Sequence, residues 1–119
     1  MAKFDLIGLG NALVDSEFHV TDSFLKKKGF EKGTMHLVDS DEQTNLLNSL
    51  EKEYGKPSLA CGGSATNTIF AASILGSSCS YICKVGNDKN GNFYLDDLSD
   101  AGVNIDHSVM LDSNINSGT

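Results

Sequence analysis

Short apolar runs alternate with helical patterns along this chain, and a glycine closes nearly every segment. That rhythm admits few folds besides a layered α/β sheet. Phe4 to Leu9 is an apolar run broken by Gly8 and Gly10, which predicts a short buried strand. Ser40-Asp41-Glu42-Gln43 opens a helix as a capping box, with its acidic residues in the first turn, where the helix dipole favours them. Leu46, Leu47 and Leu50 supply its apolar stripe, and Gly55-Lys56-Pro57 ends it. The pair Gly62-Gly63 leads into a second helix of small and apolar residues that stops at Gly76. Ser80 to Val85 is the next strand, closed by Gly86. Asn90 to Ala101 predicts a third helix, with Phe93, Leu95 and Leu98 facing inward and Gly102 as its stop. Val109 to Leu111 predicts a last strand. Strands separated by helices pair in parallel through right-handed crossovers.

Residues 14–38 break this rhythm. Val14, Ser16, Phe18 and Val20 alternate with Asp15, Glu17 and His19, the pattern of a half-exposed strand. Thr21 or Asp22 caps a helical turn ending at Gly29, and Met35 to Val38 predicts another short strand. Two strands with one helical turn between them suggest a small β appendage on a single 119-residue domain.

Charge and composition exclude several classes. The net charge is -7 and all nine basic residues are lysine, so no guanidinium fork exists for phosphate or guanine. An acidic chain repels polyanions, which argues against nucleic acid as a partner. Lys26, Lys27 and Lys28 form the one basic run, expected to be solvated. No stretch approaches the roughly 20 apolar residues of a membrane span, and the start of the chain has no signal-peptide apolar region. Cys61, Cys79 and Cys83 are therefore read as reduced thiols of a cytoplasmic protein, without a metal. His19, His36 and His107 stand singly and are read as surface or satisfied histidines. Gly8-Leu9-Gly10 invites a dinucleotide-binding reading, but the third glycine of that fingerprint would fall at Leu13. Walker-type, zinc-protease and serine-elbow motifs are absent.

Two polar clusters remain. Gly10-Asn11-Ala12-Leu13-Val14-Asp15 follows the first strand, where ligands of open parallel sheets sit. An amide beside a carboxylate can grip vicinal hydroxyls; equally, Asn11 and Asp15 can serve as caps of a turn. In Gly62-Gly63-Ser64-Ala65-Thr66-Asn67, bare glycines let a ligand approach the main chain at a helix N-terminus, and Asn67 lies in the first turn. The alternative is a tight strand-to-helix turn.

Together these segments resemble the ribokinase-like (pfkB) family of carbohydrate and nucleoside kinases. The family's first signature is matched by Gly62, Gly63, Ser64, Asn67, Gly76 and Gly86 at the right spacing, with one departure at Ile69, two residues after the asparagine. Gly86-Asn87-Asp88-Lys89-Asn90-Gly91 is similar to the family's Gly-x-Asp-x-x-Gly segment, and Gly10 to Asp15 to its substrate-binding turn. The resemblance implies a mostly parallel sheet with flanking helices and a small β lid, here residues 14–38. It implies transfer of a phosphoryl group from ATP, with Mg²⁺, to a sugar or nucleoside hydroxyl. Asn11, Asp15, Gly62, Gly63 and Asn67 would then bind the substrate. Some family members form homodimers through their lids. Ser64, where ribokinase-type members carry lysine, and the run Gly33 to Asp39 favour an adenosine kinase-like substrate over a ribokinase- or fructokinase-like one. The family's second signature, Asp-Thr-x-Gly-Ala-Gly-Asp, holds the general base and anion hole and has no match here. The chain is thus expected to be truncated, to contain no catalytic residue and to be inactive alone. A non-catalytic sugar- or nucleoside-binding module is the alternative.

Overall fold

The computed structural model describes residues 3–106 and 110–119, so the expectations for His107 and for the start of the Val109 strand lie outside the described residues. The chain divides into two compact units, residues 1–16 with 59–119 and residues 17–58.

In the first unit, strand β1 (Leu6–Leu9) runs parallel to β4 (Cys79–Ile82), with Leu6 opposite Cys79 and Leu9 opposite Ile82. On the far side of β4, Asn104 bridges to Ser80 in parallel. Strand β2 (Leu13–Glu17) pairs with β3 (Ser58–Gly62). The short β5 (Val85–Gly86) is parallel to β6 (Leu111–Asp112). Helix α3 (Ser64–Ile74) packs on β1 and β4, and α4 (Lys89–Asp100) packs on β5. The core joins Val14, Ile69, Tyr81, Val85, Tyr94, Leu95, Leu98, Val103 and Met110. This is a mixed α/β fold with parallel strand pairs.

Several local expectations change. The 80–85 strand is two pieces, β4 and β5. In α4 the buried residues are Gly91, Tyr94, Leu95 and Leu98, a three-four spacing that adds Tyr94 to the inward face, with Phe93 partly buried against the same core. β1 is not buried on both faces. A Cβ on Gly8 would lie 2.5 Å from Ile69 Cγ1, so α3 covers that face, while Ile7 and Leu9 on the opposite face are 65% and 77% exposed.

In the second unit, α1 (Asp22–Lys28) starts at Thr21, whose side chain accepts from the Phe24 N–H, and ends at Gly29 in the left-handed region. Helix α2 (Ser40–Tyr54) is capped by Asp39, one residue before the expected position, with Glu42 completing the box, and it stops at Gly55. Phe24 stacks edge-on against Tyr54 at 5.3 Å. Met35 to Val38 forms no strand; Met35 and Leu37 are almost wholly exposed, and an extended segment without a pairing partner does not register as sheet. No helix of the described residues is long and apolar enough to cross a membrane.

Candidate functional site

The first unit gathers four of the five expected site residues around two turns. The turn after β1 begins at Gly10, where a Cβ would stand 2.7 Å from Tyr81 Oη and 2.9 Å from Ala65 Cβ. Only glycine lets that turn lie so close to the start of α3. Asn11 follows it and is exposed. Two residues into β2 is Asp15, whose carboxylate lies against Gly62 at the end of β3. A Cβ on Gly62 would meet Asp15 Oδ2 and Oδ1 at 2.7 and 2.8 Å. On Gly63 it would meet the Asn11 carbonyl oxygen at 2.8 Å. The glycine pair thus packs directly against the segment that carries the amide and the carboxylate.

Gly63 is also the N-cap of α3, with φ 102° and ψ 137° and no side-chain cap bond. The positive φ favours glycine, and the absent capping side chain leaves the positive end of the dipole open to a ligand oxygen. Asn67 is exposed on the first turn of α3, with its backbone N–H on the Gly63 carbonyl at 2.9 Å. A cleft of about 390 Å³ opens at the carboxyl ends of β1 and β4, lined by Leu9, Gly10, Asn11, Ala12, Ile82, Cys83 and Lys84. Of the five expected residues, Asn11 alone lines it. The second unit has its own groove of about 370 Å³, bordered by Phe30, His36, Leu37 and Leu46.

Under the two turns lies a cluster that reading the sequence missed. Thr66, Tyr81 and Tyr94 are all fully buried. The Thr66 hydroxyl donates to Tyr81 Oη at 2.8 Å and lies against the Tyr94 hydroxyl, and Tyr94 Oη donates to the Gly62 carbonyl at 3.1 Å. Burial drives the Tyr94 phenol far above its ordinary range. The available signal was Tyr94 itself: a tyrosine at helical spacing with Leu95 and Leu98 is buried, and its hydroxyl must then find a partner.

Cys61, Cys79 and Cys83 are free thiols. Burial pushes Cys83 up to about 11, and burial, reinforced by a hydrogen bond to Asp97, carries Cys61 higher still. Neither suits a thiolate nucleophile or ligand. Among the described residues no three His, Cys, Asp or Glu side chains gather as a metal centre requires.

Gly86-Asn87-Asp88-Lys89-Asn90-Gly91 does structural work. Asp88 caps α4, and a Cβ on Gly91 would fall 2.0 Å from the Gly86 carbonyl oxygen.

Parallel strand pairs, turns placed beyond the strand ends and a helix springing from a bare glycine pair define a ribokinase-like α/β kinase fold. Solved structures agree. An adenosine kinase from Sinorhizobium meliloti is 37% identical with TM-score 0.69, over 88% of this chain and 31% of that one. A probable sugar kinase from Rhizobium etli is 31% identical with TM-score 0.68, over 99% and 32%. An adenosine kinase from Schistosoma mansoni, in complex with 2-fluoroadenosine, is 25% identical with TM-score 0.65, over 82% and 29%. This chain spans less than a third of each of them. Residues 34–119 match the pfkB family carbohydrate kinase domain, and the chain belongs to that family.

Proposed function

We propose that this chain is the substrate-binding part of an ATP- and Mg²⁺-dependent kinase that phosphorylates a nucleoside hydroxyl, with adenosine-like substrates favoured over free sugars. The observation that carries the reading is the seating of the Asp15 carboxylate against Gly62 and of the Asn11 main chain against Gly63. Asp15 would accept two hydroxyl protons, the Asn11 and Asn67 amides would donate or accept, and the bare glycines would let the substrate reach the backbone. Such a site rejects an analogue lacking one hydroxyl by roughly 10⁴-fold, because its own polar groups are left unpaired. Ser64 in the glycine-pair loop and the adenosine kinases among the similar structures support a nucleoside.

The chain itself is proposed to be inactive, because no Asp-Thr-x-Gly-Ala-Gly-Asp segment is present to supply the base and anion hole. Residues 14–38 are proposed as its lid segment, with pairing of lids as a route to a homodimer, and the cytoplasm as its compartment. Calorimetric titration with adenosine, 2′-deoxyadenosine, ribose and fructose tests the reading. Adenosine should bind, with deoxyadenosine much weaker and no ATP-dependent phosphorylation by the chain alone. Heat from fructose and none from adenosine would overturn the nucleoside assignment.

A further inference from the structure

A buried hydroxyl costs free energy unless it is hydrogen-bonded, and the bonds it makes fix the groups at their other ends. Thr66 on α3, Tyr81 on β4 and Tyr94 on α4 are each 0% exposed, and the Thr66 oxygen lies within hydrogen-bond reach of both tyrosine hydroxyls, its single proton serving one of them at a time. One end of this chain of hydroxyls, Tyr81 Oη, lies 2.7 Å from where Gly10 would carry a Cβ. The other end, Tyr94 Oη, donates to the Gly62 carbonyl. In a trans peptide the C=O and the following N–H point in opposite directions. Holding Gly62 O on Tyr94 therefore aims the Gly63 N–H away from the buried hydroxyls.

We infer that Tyr94, Thr66 and Tyr81 are positioning residues: their hydroxyl chain fixes the Gly62–Gly63 peptide relative to the Gly10–Asn11 turn and makes the Gly63 N–H a donor to a substrate oxygen. This rests on reading the two turns as the substrate site. Removing the Tyr94 hydroxyl frees the peptide to rotate while the ring still fills its space.

The test compares Tyr94→Phe, Tyr81→Phe, Thr66→Val and Thr66→Ser with the unaltered chain, by amide NMR and by adenosine titration. Tyr94→Phe should move the Gly63 amide resonance and weaken adenosine binding by about tenfold, the equivalent of one buried hydrogen bond to a positioned group. Thr66→Val should do the same, and Thr66→Ser should restore both readouts. If Tyr94→Phe does not fold, Tyr81→Phe should shift the Gly10 and Asn11 amides in its place. An unmoved Gly63 amide in a folded Tyr94→Phe chain overturns the inference, as does Thr66→Ser behaving like Thr66→Val. If the unaltered chain binds no adenosine, the substrate reading fails, and the Gly63 amide alone still decides whether the hydroxyls position that peptide.

Discussion

The Asp88 carboxylate holds the backbone of Ser117 at 2.9 Å through one oxygen and the first turn of its own helix, at the Gly91 N–H, at 2.8 Å through the other. One side chain thus caps α4 and ties a segment 29 residues away to it. Burial works against the charge, but the hydrogen bonds from Ser117 and Gly91 outweigh it and hold the carboxyl below its ordinary value.

Asp88→Ala should therefore destabilise the first unit by about 1–2 kcal/mol, the usual scale for a lost N-cap. Asp88→Asn should cost less, since an amide oxygen can still cap. The sign of the pH effect follows from the depressed pKa. The contribution is complete above the unfolded value, roughly pH 4, and is lost as pH falls through the folded value. Urea unfolding followed by hydrogen exchange at Gly91 and Ser117 should show that acid sensitivity in the native chain and not in Asp88→Asn.

Gly91→Ala and Gly29→Ala separate two reasons for glycine. At Gly91 a methyl group would fall 2.0 Å from the Gly86 carbonyl oxygen and 2.7 Å from Ser117 Oγ, so the backbone must move. The expected loss exceeds about 4 kcal/mol, which places it among the severe core substitutions. At Gly29 nothing lies within 4 Å and only φ 77° resists a side chain, so about 1 kcal/mol is expected. Thermal unfolding of the two variants should rank them in that order.

What the sequence made legible follows how local each signal is. Thr21, Gly29, Gly55 and Gly102 mark helix ends through bonds to residues a few positions away, and the helices fell within a residue or two of their predicted bounds. Strand β3 was not legible, because Ser58 to Gly62 is short and small-sided and its partner β2 lies some forty residues back. Met35 to Val38 carries the opposite lesson: apolar residues suggest a strand, yet only a paired strand is one. In the site, the turns at Asn11 and Gly62-Gly63 could be read from residue type. The Tyr94 bond to Gly62 could not, because its partner is 32 residues away.

The three cysteines should resist alkylation in the native chain. With its thiol raised to about 11, Cys83 at pH 7.5 presents roughly 100-fold less thiolate than an unperturbed cysteine. Cys61 is held higher, and Cys79 is 2% exposed. Iodoacetamide should label all three slowly in buffer and quickly in urea. Rapid native labelling of Cys83 would show that the cleft at the ends of β1 and β4 opens further than its geometry indicates.

Gly62→Ala isolates the site from the fold. Its backbone lies outside the positive-φ region, and the atoms nearest the new methyl group would be those of the Asp15 carboxylate, Oδ2, Oδ1 and Cγ at 2.7, 2.8 and 2.9 Å. Asp15 is exposed and can swing aside, so stability should change by less than about 1 kcal/mol. The carboxylate would then leave the position in which it receives substrate hydroxyls, and misplacement by about 1 Å can cost on the order of 100-fold. Gly63→Ala would instead combine a strained φ of 102° with a contact to the Asn11 backbone, and should lose stability and binding together. Adenosine titration alongside thermal unfolding distinguishes the two: Gly62→Ala should keep its melting temperature and lose affinity. If it keeps both, Asp15 is not a substrate ligand.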